Sequence, residues 1–292
     1  MTIQQIGLEK PTNVRQPPFF SVAFRPEQGV LWGYIERNAP VCFTPDLIQE
    51  MRKRQVTFAE QVKREVDAGH QNHIRYQVLA SHIPGIFSLG GDLAHFVHLI
   101  ESRDRDGLIR YGTDCVDLVY WTSVGYNLPV TTIALVQGTA QGGGFEAALA
   151  AHIIVAERQC QFGFPEIMFN LFPGMGGAHY LSRRVPQRVA EQILSSGKMY
   201  TAQELFDLGI VDIVAEPGEG ENAVRRYIKK NDKRFRGMTA VRQVLRSIAP
   251  IEREALVRTV TDWADLALRL QPRDLKTIRR LQQAQAKLSI PA

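Results

Sequence analysis

A chain of 292 residues with 45% hydrophobic and 22% charged residues has the makeup of a globular protein able to bury a sizeable core, and its composition is neither disordered nor fibrous. No apolar run approaches the roughly 20 residues that cross a bilayer, and the opening MTIQQIGLEKPTNVRQPP lacks the basic-then-apolar order of a secretion signal, so a cytoplasmic location without membrane insertion is expected. Basic residues exceed acidic ones by 35 to 30, a net charge of +5, with no helix-turn-helix, zinc-finger or aromatic RNA-binding pattern beside them, which argues against a nucleic-acid partner.

Residues 1–18, with three prolines, read as a loose arm. Strands are predicted over Phe19–Phe24 and Val30–Ile35, joined by a turn at Pro26–Gly29. Thr44 ahead of Pro45 reads as the N-cap of a long polar helix to about Ala68. A strand over Arg75–Ser81 and a turn at Pro84-Gly85 follow, then a helix after Gly91-Asp92 with Leu93, Phe96, Val97 and Ile100 at helical spacing. Asp92 reads as that helix's cap. A further helix is expected over Thr113–Tyr126, and the β-branched run Val130–Val136 reads as a buried strand. Gly142, Gly143 and Gly144 then open a helix over Phe145–Ala151 that leads into a strand at His152–Ala156.

Strands alternating with helices indicate an α/β fold. Beyond Glu216-Pro217-Gly218 only amphipathic helices are expected, at Ala223–Lys230, Thr239–Ile248, Ile251–Leu270 and Arg273–Leu288. The chain therefore divides into an arm (1–18), an α/β core (19–218) and a C-terminal helical region (219–292). Seven basic residues fall between Arg225 and Arg236, a stretch suited to a solvated helix face, an acidic protein or a phosphate-bearing group. Cys42, Cys115 and Cys160 lack metal-ligand spacing and read as small buried apolar residues.

The chemistry concentrates in GTAQGGGFEAALAAHIIVAERQCQFGFPEIMFNLFPGMGG, Gly138 to Gly177. QGGGFE lacks the Lys-Ser/Thr of a P-loop and the spacing of a dinucleotide fingerprint. A plain tight turn would not explain why a second strand-to-helix glycine turn, Gly90-Gly91-Asp92, precedes it. Two such turns can aim two backbone N–H groups at one oxygen, the arrangement that stabilises an oxyanion. Glu146 lies in the first turn of an Ala- and Leu-rich helix, where a carboxylate also complements the dipole. Glu166 is flanked by Phe162, Phe164, Met168 and Phe169, and burial there would lift its pKa into the range of a general acid or base. The histidine pairs His95/His98 and His70/His73 have helical spacing but no completing carboxylate or cysteine, so no metal site is expected. No G-x-S-x-G nucleophile elbow is present.

FSLGGDLAHF, QGTAQGGGFEAALAAHIIVAE and CQFGFPEIMFNLFPGMGGAHYLSRRV resemble the three signature segments of the crotonase, or enoyl-CoA hydratase/isomerase, superfamily, over roughly Phe19 to Val214. The resemblance implies a spiral core of repeated ββα units, a C-terminal helical region that builds trimers or dimers of trimers, an oxyanion hole at the amides of Gly91 and Gly143, with Gly90 and Gly142 beside the substrate, and a catalytic pair in Glu146 and Glu166. Within the superfamily the chain looks closest to the diffusible signal factor synthases. That likeness rests on RYQVLASHIPGIFSLGGDLAHFVHLI, FPEIMFNLFPGMGGAHYLSRR and the long helix before the first signature. It implies dehydration of a 3-hydroxyacyl thioester carried on the phosphopantetheine of acyl carrier protein, with no separate cofactor, and hydrolytic release of a free cis-2-unsaturated fatty acid used as a quorum-sensing signal. It also implies an acyl tunnel lined by Met175 and Trp263, which without the family would read as core, and association with a sensor kinase. Where coenzyme A enzymes often carry a basic residue after the Gly-Asp, this chain has Leu93, Ala94 and His95. The alternatives are a trans-2-enoyl-CoA hydratase of fatty acid metabolism and a non-catalytic acyl-chain binder.

Overall fold

Strands at Val30–Ile35, Thr131–Val136 and Ile153–Glu157 that are buried almost throughout, against helices apolar on one face, belong to a sheet covered on both sides. The computed structural model describes residues 18–70 and 74–288; residues 1–17 of the expected arm, and His73, lie outside them. In chain order the first half contains β1 (Phe20–Arg25), β2 (Val30–Ile35), α1 (Pro45–Asp67), β3 (Tyr76–Ser81), β4 (Ile86–Ser88), α2 (Leu93–Glu101), α3 (Arg105–Ser123), β5 (Thr131–Val136), β6 (Thr139–Gln141), α4 (Gly143–Ala150), β7 (Ile153–Glu157) and β8 (Gln161–Gly163). The second half adds α5 (Gly177–Leu181), α6 (Gln187–Ser196), β9 (Met199–Thr201), α7 (Ala202–Asp207), β10 (Ile213–Ala215), α8 (Gly220–Asn231), α9 (Phe235–Ile248), α10 (Arg253–Ala267) and α11 (Pro272–Leu288).

Among the described residues the strands form two sheets, one of six in the order β1-β2-β3-β5-β7-β10 and one of four in the order β4-β6-β8-β9. The large sheet is parallel from β2 onward and the small one from β4 to β8. The pairs β3/β4, β5/β6 and β7/β8 each give one strand to either sheet before the chain returns through a helix. Three such passes are the spiral of ββα units that the signature segments implied. Every residue of β5 is buried, which is why TTIALV carries no charge.

Most predicted elements lie within two residues of the observed ones, and Thr44 caps α1 by accepting from Leu47 N at 3.3 Å. Among the C-terminal helices α8 and α9 start three and four residues before the expected Ala223 and Thr239, and α10 ends three before Leu270; the largest departure is α3, expected from Thr113 but beginning at Arg105. Its true cap is Asp104, whose carboxylate accepts from Gly107 N at 2.8 Å, and Gly107 and Gly112 masked the helical period ahead of Thr113. The three-residue strands β4, β6, β8, β9 and β10 went unrecognised because so short a run shows no alternation.

The C-terminal helices press against the core. In the large sheet's second cluster Val224, Ile228 and Phe235 pack on Val78, Ile133 and Val155, α10 lies along α3, and α11 lies along α2 and the turn at Glu166–Phe169. The three cysteines are buried thiols. Among the described residues no helix is long and apolar enough to cross a membrane.

Candidate active site

Small-sheet strands β4 and β6 end side by side, so the two glycine turns that follow them meet. Gly90 has φ +89°, and a Cβ there would lie 2.8 Å from Gln141 O and 2.9 Å from Gly143 N. Only glycine allows this left-handed backbone and so close an approach. Gly143 is the first residue of α4, so its N–H has no acceptor within that helix. A Cβ on Gly143 would stand 3.5 Å from Gly91 N, which places the two amides around one small space. Among the described residues, no turn or loop hydrogen bond engages either N–H.

The turn bearing Gly91 is held from several sides. Phe43 N donates to Gly90 O at 2.7 Å. Asp92 N donates at 2.8 Å to the Tyr111 hydroxyl, which donates in turn to Phe43 O at 2.7 Å. Asp92 Oδ1 accepts from His95 N at 3.0 Å, so it caps α2 as its sequence context predicted. Asp92→Ala is expected to cost about 1 kcal/mol of stability, while Asp92→Asn keeps the cap; urea denaturation of both variants checks this.

Glu146 enters the same space from the first turn of α4. It is 1% exposed, and its Oε1 accepts from Met175 N at 2.8 Å and Gly177 N at 2.7 Å. Burial raises its pKa to about 7, and the two amides oppose that rise. Glu166, following β8, starts the short 3-10 turn Glu166–Phe169. Its residue is partly exposed, yet Oε2 is buried with no hydrogen-bond partner. Burial first, and the Glu146 charge second, raise its pKa to about 8. Gly142, at φ +52°, makes room for this carboxylate, because a Cβ there would lie 2.6 Å from Glu166 Oε1.

Two environments thus separate two like groups. The carboxyl with two backbone donors on one oxygen favours the anion, and the one whose Oε2 is buried without a partner favours the acid. A proton shared by the pair therefore favours Glu166 over Glu146. Both groups bind protons more tightly folded than unfolded. They therefore favour the folded state in acid, and that contribution fades as pH rises from 4.5 through about 7 and about 8. Glu166→Gln is accordingly expected to raise Tm above wild type at pH 9 by about 2 °C or more, with the gain vanishing near pH 5; calorimetry at the two pH values measures it.

A cavity of about 70 Å³ joins these groups, with Gly91, Gly143, Glu146, Glu166, Met175 and Trp263 all in its wall. Met175 is buried, and Trp263 reaches in from α10 with its ring stacked on Phe96 at 4.8 Å. A larger cleft of about 430 Å³ shares Gly91 and Glu166 and runs past Gly142 between the glycine turns and α11. Gly90 lines neither space and packs against Gln141 O and Gly143 N. The eight residues expected at the site therefore converge. Sequence reasoning missed Tyr111 and Gln285. Tyr111 lies in the part of α3 hidden by glycines, and Gln285 sits in the polar run QQAQAK, where nothing marks one glutamine as buried. His95 lies edge-on to the Tyr111 ring at 5.1 Å.

The profile of the enoyl-CoA hydratase/isomerase family matches residues 55–259. "Probable enoyl-CoA hydratase 2, mitochondrial" of Arabidopsis thaliana is 30% identical over 218 residues, covering 74% of this chain and 67% of that protein. "Methylglutaconyl-CoA hydratase, mitochondrial" of Homo sapiens is 31% identical over 156 residues, 53% of this chain and 44% of its own length. Against that relative and a probable enoyl-CoA hydratase of Bacillus subtilis the match spans about half the relative's length. Among solved structures, enoyl-CoA hydratase from Bacillus halodurans superposes with a TM-score of 0.69 at 19% identity, covering 90% of this chain and 100% of that one. Pseudomonas aeruginosa DspI superposes at 0.65 with 21% identity, covering 84% and 93%. At such identities the superpositions speak to the fold.

Proposed function

The chain belongs to the enoyl-CoA hydratase/isomerase family, and from that premise we propose that it moves water across the C2–C3 bond of an acyl thioester. One observation carries this reading: Glu146, Glu166 and the amide-bearing Gly91 and Gly143 line a single cavity. The thioester oxygen accepts from the two amides, so the charge of the enolate is met by preorganised donors. In hydration, ionised Glu146 takes a proton from water as its oxygen bonds to C3, and Glu166 gives its proton to C2. Dehydration is the reverse: ionised Glu166 removes the C2 proton and protonated Glu146 delivers its own to the departing C3 hydroxyl. The larger cleft, which also reaches Gly91 and Glu166, would be the path of the thioester arm.

For the finer reading we propose 3-hydroxyacyl carrier protein as substrate, dehydrated to the cis-2-enoyl thioester and hydrolysed to a free acid that serves as a quorum-sensing signal. Supporting it are the likeness to the diffusible signal factor synthases, the net charge of +5, the exposed Lys229, Lys230, Lys233 and Arg234 that suit an acidic carrier, and the lack of a basic residue at Leu93–His95. Hydrolysis would use the same oxyanion hole, with a glutamate activating water. Met175 and Trp263 would border the acyl tail. A second reading, a trans-2-enoyl-CoA hydratase, is favoured by the resting proton position, since Glu166 protonated with Glu146 ionised is the state from which hydration starts. Incubation of the purified protein with 3-hydroxyacyl carrier protein and, separately, with crotonyl-CoA decides between them. Free cis-2-enoic acid from the first, seen by mass spectrometry, supports the carrier-protein reading; fast hydration of the second with no free acid from the first overturns it.

We also propose self-association into trimers or dimers of trimers through the helical region. In α9, Val241, Val244, Leu245 and Ile248 form one apolar stripe, and Ile248 is 73% exposed. Sedimentation of Val244→Glu against wild type tests it: an unchanged mass argues against this face.

A further inference from the structure

Gln285 is buried near the end of an amphipathic helix whose apolar face carries Leu275, Ile278 and Leu281. Its Nε2 donates to Leu89 O at 3.0 Å and to Gly91 O at 3.1 Å. Those carbonyls belong to the peptide units on either side of the one that carries the Gly91 N–H. The unit between them is tied at its own carbonyl by Phe43 N, at 2.7 Å from Gly90 O. Gly90 in its left-handed conformation gives this segment more freedom to rotate than any other residue would. A rotation of the 90–91 peptide would turn the Gly91 N–H out of the cavity. That rotation breaks the Phe43 bond, and with one side-chain amide bridging both neighbours, a displacement of the turn as a whole must break two further hydrogen bonds. Earlier in the same helix, Asp274 Oδ1 accepts from Asn170 Nδ2 at 2.7 Å, four residues beyond Glu166.

We propose that Gln285 is a positioning residue for the oxyanion hole: α11 clamps the Leu89–Gly91 turn through this amide and holds the Gly91 N–H on the thioester oxygen. The proposal rests on the reading of Gly91 as an oxyanion donor. A donor displaced by a fraction of an ångström weakens the transition state more than the ground state, so the effect falls on kcat.

The test compares wild type with Gln285→Leu, of similar volume but without the donor, and with Arg279→Ala, which removes the pairing of α11 with Glu101 on α2 and leaves the clamp intact. Turnover is measured with whichever thioester the wild type converts, and polarisation by the infrared carbonyl stretch of a bound, unreactive acyl thioester. The expected result for Gln285→Leu is a fall in kcat of about 10-fold or more, KM within about 3-fold, a smaller carbonyl shift and an unmoved pH profile, while Arg279→Ala behaves as wild type. Unchanged kcat, or a loss with the full carbonyl shift, overturns the proposal. If Gln285→Leu does not fold, Gln285→Asn decides on the same readouts, since its shorter amide cannot reach both carbonyls. A wild type that shifts no carbonyl and converts no thioester overturns the functional reading, and the clamp with it; an active wild type with an unaffected variant overturns the clamp alone.

Discussion

Glu146→Gln and Glu166→Gln are each expected to lower kcat by about 10²- to 10⁴-fold, the usual share of a positioned general acid or base, with KM little changed. The amide is nearly isosteric, and in Glu146→Gln the side-chain carbonyl oxygen would still accept from Met175 N and Gly177 N, so the fold survives and the loss reports chemistry. The pH dependence sharpens the test. Water addition needs one carboxyl ionised and the other protonated, so the wild-type rate should be bell-shaped, its limbs set by the pair's apparent pKa values of about 7 and about 8. Removing either carboxyl abolishes the shared proton and should flatten the bell. Stopped-flow or steady-state rates across the acid and alkaline limbs with each variant measure both effects; a variant retaining wild-type kcat would remove that glutamate from the mechanism.

Gly143→Ala is expected to lower kcat by about 10²- to 10³-fold, comparable to losing an oxyanion-hole donor. The added Cβ would stand 3.5 Å from Gly91 N, where the thioester oxygen must approach, and would overlap Met175 Sδ. Methionine can yield, being unbranched and adaptable, so the substitution should cost activity far more than stability. The double variant with Met175→Ala separates the two causes. It relieves the overlap but leaves the methyl group in the hole, so activity should stay low. Recovery of activity in the double variant would mean that packing, not the amide pair, caused the loss.

Much of this site was legible along the chain because its chemistry is bound to local backbone rules. A glycine turn between strand and helix, a proline before a glutamate among aromatics, and a Thr-Pro or Gly-Asp helix start each state a local conformation, and the caps at Thr44 and Asp92 were found where those residues stood. The limits were equally physical. Strands of three residues such as β4 and β6 carry no period, although they are what bring the two glycine turns together. Gly107 and Gly112 broke the helical pattern of α3, and with it the context in which Tyr111 could be recognised as the prop of the Gly90-Gly91-Asp92 turn.

By itself, then, the sequence determined the alternating α/β plan, the two glycine turns, the glutamate pair and the family to which they belong, since each is written in contiguous residues obeying local sterics. Tertiary structure alone decided which of the two carboxyls is the better anion, because it depends on which one receives the amides of Met175 and Gly177 from across a loop. It alone brought Trp263 and Gln285 from the C-terminal helices to the cavity, because those contacts join distant parts of the chain and are set by how helices pack rather than by any neighbour in sequence.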